Sequence, residues 1–504
     1  YLANMKGDIH FAILSDWPDS QTEQSSADLE LLDYARSCLS LLNQRYPLDG
    51  GMRFHLLHRR RLFNEAEGCW MGWERKRGKL HELNLLLRGD ADTSFLPLDR
   101  PLPAGIVHVM TLDADTKIMR DAITGLVGKL THPMNAPEID AAAGEVVSGY
   151  SILQPRVTAS LTTGDQASFF QRVFSSNRGI DPYVFAVSDV YQDLYGEGTF
   201  TGKGLYHVDA MEAALRGKLP ENTVLSHDLL EGALAHAALV TDIEVVEDYP
   251  TRYSVDASRQ HRWARGDWQL LPLIFSPKLK ISGISRWKMI DNLRRSLTPI
   301  FWVLAAIAGW TLLPFTLAAQ WIALLILSQF MAPTFNIVNS LIPKSSEVTL
   351  RGHLTALVRD VVYGTALVAM KTVFMAHSAW LMGDAIVRTL YRLVFSHKNL
   401  LEWRTASQAQ KAGANDIAAY YRSMRGAVII AAVGLIIPLM TGSTGALVAF
   451  TFAIFWGGSP AFAYLVSRSA ETEDTLILED KDRVRLRAVA RRTWHYYETF
   501  VTAE

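Results

Sequence analysis

At Val109–Met119 the chain reads "VMTLDADTKIM", so that an apolar run, "GIVHVM", ends in two carboxylates, Asp113 and Asp115, one residue apart. In an extended chain residues i and i+2 face the same way, and the two acids would point into one small space. Like charges held there raise each other's pKa unless something positive neutralises them. A divalent cation does so, because Mg²⁺ takes one or two carboxylates together with substrate phosphates. A turn with solvated aspartates is the plainer alternative.

Other residue types able to do chemistry recur along the first 295 positions. Asp16 ends the strand-like "DIHFAILSDW", and Lys79 follows the basic "WERKRG", where a cation could meet a diphosphate or stand in a solvated loop. "SHDLLEG" places Asp228 near a helix start, as a base or as an N-cap. "SRQHRWARGDWQ" brings Arg262, Trp263, Arg265 and Trp268 together. Guanidinium planes suit phosphates and indole rings suit sugar faces, but an amphipathic helix on a membrane could carry the same residues. "GEGTFTGKG" is not a P-loop: three residues separate Gly198 from Gly202, and no Ser or Thr follows Lys203.

The elements that would position these groups alternate between strand and helix, the pattern of a largely parallel sheet flanked by helices. Strands are expected in "DIHFAILSDW", "RFHLLHRRRLF", "GIVHVMTLDAD" and "GEVVSGYSILQ". Helices are expected in "SADLELLDYARSCLSLLNQRY", in "KLHELNLLLRG" closed by Gly89, and over residues 121–130. Ligands of open α/β sheets bind at the carboxyl ends of strands, where Asp16 and the Asp113/Asp115 pair both fall.

Composition sets the limits. The chain has 504 residues, 49% hydrophobic and 20% charged, with a net charge of −1, which argues against a nucleic-acid partner. Two cysteines, Cys38 and Cys69, suggest reduced thiols rather than a disulfide framework or a zinc site. The long apolar runs follow Thr298. Residues 296–343 are long and apolar enough to cross a membrane twice with a turn near Pro314, and residues 426–468 read as a second hairpin turning at "TGSTG". Before the first hairpin lie Lys278, Lys280, Arg286, Lys288, Arg294 and Arg295. Between the hairpins lie Arg388, Arg392, Lys398, Arg404, Lys411, Arg422 and Arg425, and after the second come Arg468 and Lys481. The positive-inside rule places all three regions in the cytosol. In "VVYGTALVAMKTVFMAHSAWLMGDAIVRTLYRLVF", Lys371, His377 and Asp384 would be costly in hydrocarbon. Residues 344–425 are therefore expected as cytosolic or interfacial helices, with a crossing by residues 361–400 as the alternative. The chain opens on Tyr1 within an ordinary segment, and residues 469–504 read as a cytosolic linker to a following domain of a longer protein.

The order Asp16, Lys79, Asp113-x-Asp115, "FTGKG", "HDLLEG", "QHRWARGDW" and then membrane helices resembles the processive family 2-like glycosyltransferases. Among them it is most similar to the glycosyltransferase module of bacterial cyclic β-1,2-glucan synthases. The resemblance implies a GT-A domain over residues 1–295, its first strand lying ahead of Tyr1, that uses UDP-glucose with Mg²⁺ or Mn²⁺ and inverts the anomeric centre. Carried over by position, Asp16 and Lys79 would contact the nucleotide, Asp113 and Asp115 the donor and its metal, with Asp115 as the main ligand. Asp228 would be the general base, although "SHD" stands where the family usually has TED. Arg262 and Trp263 match the end of a QxxRW motif in which Gln260 lies one residue too close to Arg262. Phe200, Thr201 and Gly202, with Trp263, would lie near the acceptor sugar. The resemblance further implies an inner-membrane, multi-pass protein with a cytosolic catalytic domain, a lipid bilayer around its helices and a C-terminal phosphorylase-like domain. It also implies a β-glucan grown on the protein itself, for which Tyr46 is one candidate hydroxyl. A cellulose-like or other β-linked product, and a non-catalytic glycan conduit or scaffold, are the competing readings.

Overall fold

Two strands, β1 (Phe11–Asp16) and β2 (Phe54–Arg59), pair in parallel with Phe11 opposite Phe54 and Asp16 opposite Arg59. The helix Ser26–Arg45 joins them. It starts where the sequence supplies a cap, Ser25, whose backbone N–H donates to Asp28 at 2.8 Å. This is a computed structural model, and it describes residues 3–4, 6–49, 51–98, 100–140, 144–160, 167–175, 190–225, 228–341, 349–403, 416–468 and 479–500.

Beyond the small hairpin of β3 (Leu62–Asn64) and β4 (Cys69–Met71) comes the helix Arg75–Leu87. A five-stranded sheet follows, in the order β5 (His108–Thr111), β10 (Gly204–His207), β9 (Ile152–Ala159), β11 (Ala237–Glu247), β6 (Thr116–Ile118). A second hairpin, β7 (Glu138–Asp140) with β8 (Glu145–Ser148), stands apart from it. The largely parallel sheet expected from the alternation is corrected to a mixed one. β9 and β11 run parallel, whereas β10 enters antiparallel between β5 and β9, and β6 closes the edge antiparallel to β11. Hydrophobic alternation marks a strand but carries no direction, which is why the sequence could not show this. β5, β9 and β11 thus share one direction, so the ends of β5 and β11 and the start of β10 meet at one edge. "GEVVSGYSILQ" is not one strand either. Gly149, at φ +69°, divides β8 from β9.

The second half is helical. Gly283–Leu312 and Ala446–Val466 are long and apolar enough to cross a membrane, and Ile417–Ser423 with Arg425–Met440, bent by 66°, would make a third span if they act as one. Gly283–Leu312 turns back at Pro314 into Phe315–Gln329, and Arg425–Met440 turns at residues 441–445 into Ala446–Val466. The two turns touch: the Ser443 hydroxyl donates to Trp310 O at 2.8 Å, and the Phe315 N–H donates to Thr444 Oγ1 at 3.0 Å. Trp302, Trp310, Phe452 and Trp456 fill the centre, while Phe301, Leu304, Leu324, Ile436, Phe450 and Ile454 stay exposed on the outside. An apolar exterior of this extent is what lipid-facing helices present. The boundary drawn at 295/296 falls inside the Gly283–Leu312 helix, whose first turns, through Met289 and Leu293, pack with Leu230 and Ile274 of the α/β half.

Residues 350–391 form one helix of 42 residues. It lies between the two halves. One face carries Met375, Ala376 and Ala379 into the cluster around Trp302 and Trp456. The other runs beside Tyr253–Gln269: His377 is hydrogen-bonded to the Tyr253 hydroxyl at 2.7 Å, and Asp384 pairs with His261 at 2.8 Å and with Arg388 at 2.8 Å. Lys371 lines the large cavity described below. The three polar groups that hydrocarbon would penalise thus face the α/β half or that cavity. Arg404 and Lys411 lie outside the described residues.

Candidate active site

The ends of β5 and β11 and the start of β10 build a carboxylate cluster at the sheet edge. β5 stops at Thr111, so Asp113 and Asp115 are not in extended chain as the i, i+2 argument supposed. They sit in a turn closed by Thr116 N donating to Asp113 O at 3.0 Å. The pair still converges, because Glu247, the last residue of β11, stands beside it. Oxygens of Asp113, Asp115 and Glu247 all lie within 4.8 Å of one another. Glu247 is buried, Asp113 half-buried and Asp115 exposed. Three hard oxygen donors in that space fit Mg²⁺ or Mn²⁺.

Two ammonium groups already stand against this cluster. Lys203 Nζ is 2.9 Å from Glu247 Oε1 and 3.3 Å from Asp113 Oδ2, and Lys76 Nζ donates to Asp113 Oδ1 at 2.6 Å and to Gly202 O at 2.9 Å. Burial alone would raise the Asp113 pKa, but Lys76 and Lys203 outweigh it and hold the carboxyl below its ordinary range. Burial likewise disfavours the charged Lys203, yet Glu247 and Asp113 push its pKa up.

The "FTGKG" stretch leads into β10 along the same edge. Gly202 takes φ +82°, and a Cβ built there would lie 2.7 Å from Asp228 Oδ1. Asp228 opens the helix Asp228–Leu234 directly behind this turn; Ser226 and His227 lie outside the described residues. Thr201 donates its N–H to the buried Gln154 Oε1 at 2.9 Å. Phe200 is part of the core next to Tyr206 and Val146, and it also reaches the cavity wall.

Asp16 and Lys79 line the cavity but hold each other, with Lys79 Nζ 2.9 Å from Asp16 Oδ2. Asp16 Oδ1 also accepts from the fully buried Arg59 Nε at 2.6 Å. Burial would raise the Asp16 pKa, and Arg59 and Lys79 more than reverse it. Arg262 and Trp263 project from the helix Tyr253–Gln269. The Arg262 guanidinium lies 4.3 Å from the centre of the Trp403 ring, and Arg259 lies 4.7 Å from that of Trp263. Burial, followed by the neighbouring Arg259, lowers the Arg262 pKa.

Asp16, Lys79, Asp113, Asp115, Asp228, Arg262 and Trp263 border one cavity of about 2840 Å³, which reaches Trp302, Gln329 and Lys371 among the helices. Tyr46 does not border it; it caps the helix Ser26–Arg45 and packs against Phe54. Glu247, Lys76, Lys203 and Trp403 also border the cavity and were not named as site residues from the sequence. Glu247 carried a readable signal, a carboxylate ending an apolar strand, which is the same one that marked Asp16.

No protein-family model matches the chain. All 504 residues align at 57% identity with the curated cyclic β-(1,2)-glucan synthase NdvB of Rhizobium meliloti (strain 1021), and the chain spans 18% of that protein's length. With the order of its motifs kept around one cavity, the chain is homologous from end to end to a module of a cyclic β-(1,2)-glucan synthase.

Proposed function

We propose that the chain is an inverting glucosyltransferase module of GT-A type that builds β-1,2-glucan from UDP-glucose. One observation carries the reading. Asp16, Lys79, Asp113, Asp115, Asp228, Arg262 and Trp263 border one cavity, in a chain 57% identical to a cyclic β-(1,2)-glucan synthase. Asp16 and Lys79 hold the nucleotide. Asp113, Asp115 and Glu247 hold Mg²⁺ or Mn²⁺, which when bound offsets the charge developing on the departing UDP. Arg262 adds a guanidinium to the diphosphate, and the Trp403 ring beneath it holds that group in place. Asp228 takes the proton of the acceptor hydroxyl as it attacks the anomeric carbon, a role worth roughly 10²–10⁴-fold. With Asp228 acting as the one base, a single displacement inverts an α-linked donor into a β-glucan. Thr201, Gly202 and Trp263 border the acceptor, with Phe200 supporting the turn from the core.

The spans lie in the bacterial inner membrane with their joined turns outside. The basic residues at the other ends, among them Arg286, Arg295, Arg422, Arg425 and Arg468, face the cytosol together with the α/β half. The Leu350–Tyr391 helix meets the α/β half with its polar groups and runs in among the spans, where Thr372 O accepts from Trp456 at the middle of Ala446–Val466. A phosphorylase-like domain of the same longer protein and a glucan attached to the protein complete the expected set of partners.

Product analysis tests the reading. Membranes bearing the chain are incubated with labelled UDP-glucose and Mg²⁺, and the product is subjected to linkage analysis. β-1,2-linked glucose is expected. A different linkage would replace the product assignment, and release of neither UDP nor glucan would remove the enzyme assignment.

A further inference from the structure

None of the residues of the helix Asp480–Phe500 borders the cavity. Every residue in it except Asp482 is exposed, and the ion pairs of its first turn are local, Lys481 with Glu479 and Arg483 with Asp480. Its sequence is not that of a solvated spacer. At about 100° per residue, Leu486, Val489, Ala490, Thr493, Tyr496, Tyr497 and Phe500 fall within one stripe of about 120°. Large side chains in that stripe stand open to solvent: Leu486 54%, Val489 54%, Tyr497 54% and Phe500 69%. Arginines flank it on both edges, Arg485 and Arg492 on one and Arg483 and Arg487 on the other. Six basic residues stand against three acidic ones, Asp480, Asp482 and Glu498.

An apolar stripe bordered by arginine on both edges is the pattern of a helix lying in a membrane surface. An anionic leaflet suits both features: the stripe enters the headgroup boundary while the arginines meet lipid phosphates. Reach is no obstacle. The Ala446–Val466 span ends at the α/β side of the helices, where the Ser467 hydroxyl accepts from Tyr253 N at 3.0 Å. The residues from 467 to 479 can extend at most about 45 Å from there.

We propose that Asp480–Phe500 is a membrane-surface helix that binds anionic headgroups on the α/β side of the bilayer. The inference rests on the reading of the apolar helices as membrane spans, and carbonate extraction checks that reading separately. The test uses the whole chain in nanodiscs, with Cys38 and Cys69 replaced by serine and an environment-sensitive dye on Val489→Cys or, as the polar-face control, on Arg491→Cys. In phosphatidylglycerol-containing discs the dye at 489 should shift to the blue, and its quenching by iodide should fall at least about threefold below that at 491. Replacing Arg483, Arg485, Arg487 and Arg492 by glutamine should return it to water. Equal quenching at 489 and 491 in anionic discs would overturn the proposal. So would protection at 489 that persists without anionic lipid, since a protein surface would then be its cover.

Discussion

Gly202 and Asp228 are in contact across the site: a Cβ on Gly202 would lie 2.7 Å from the Asp228 carboxylate, and the glycine holds φ +82°. Both facts forbid a side chain there. Gly202→Ala should cost roughly 1–2 kcal/mol of stability for the left-handed backbone alone. It should also push Asp228 off its position and lower turnover on the order of 10²-fold, since small misplacements of reacting groups are costly. UDP binding should persist, and turnover within a few-fold of the parent would show that this contact does not position the carboxylate.

Asp228→Asn keeps the volume and removes the base. Transfer from UDP-glucose should fall by roughly 10²–10⁴-fold while calorimetric UDP binding stays unchanged. Parallel loss of binding would place Asp228 at the donor instead.

The three-carboxylate cluster makes a prediction that needs no turnover. Asp115→Ala and Glu247→Gln should both abolish the gain in UDP affinity that Mn²⁺ gives, leaving the metal-free affinity within about threefold. Glu247→Gln keeps an acceptor for the Thr116 hydroxyl, which donates at 2.9 Å, but takes the charge from opposite Lys203, so its unfolding midpoint should fall and UDP affinity is read well below that midpoint. Unchanged Mn²⁺ dependence in both variants would leave the cluster without a metal role.

What was legible in the sequence follows from the range of each signal. Apolar alternation and a Ser cap are local: β1 and the helix Ser26–Arg45 form where they were read, and β5 forms inside its stretch but stops at Thr111, short of the two aspartates. The strand-end rule likewise led to Asp16 and the Asp113/Asp115 pair. The ammonium groups were not legible, because Lys76 and Lys203 meet Asp113 across 37 and 90 residues of chain and nothing in either motif announces a partner. The sheet's mixed direction and the side-by-side packing of Tyr253–Gln269 with Leu350–Tyr391 are also relations between distant segments. Hydropathy sees the second of those helices only as an awkward apolar stretch.

Lys203 and Asp113 set a pH window. Asp113 is held low, so its contribution to stability is in place above the ordinary carboxylate pKa and is lost as pH falls through the lowered value. Lys203 is held high, so its contribution is complete below the ordinary lysine pKa and lost as pH rises through the raised value. The network should therefore give a flat unfolding midpoint from about pH 5 to pH 9. Lys203→Met should lower the stability across that range by roughly 3 kcal/mol, because Glu247 is left buried without its ammonium. A midpoint that declines across this window in the parent but not in Lys203→Met would contradict the assignment.

Arg59 carries the heaviest structural load beneath the site. Fully buried, it donates to Asp16 at 2.6 Å, to Glu82 at 3.0 Å, and to the backbone carbonyls of Trp73 and Arg75 at 2.9 and 3.0 Å. Its removal would leave Glu82 with only the Ser94 hydroxyl and N–H among these polar neighbours, and Asp16 with Lys79 alone. Arg59→Leu should therefore destabilise the α/β half by roughly 3–5 kcal/mol. Lys79→Met leaves Asp16 its buried Arg59 partner and should lose less than Arg59→Leu, roughly 1–2 kcal/mol, while weakening UDP binding. If Lys79→Met left UDP affinity intact, the Asp16–Lys79 pair would be structural, and the nucleotide would be held elsewhere along the cavity.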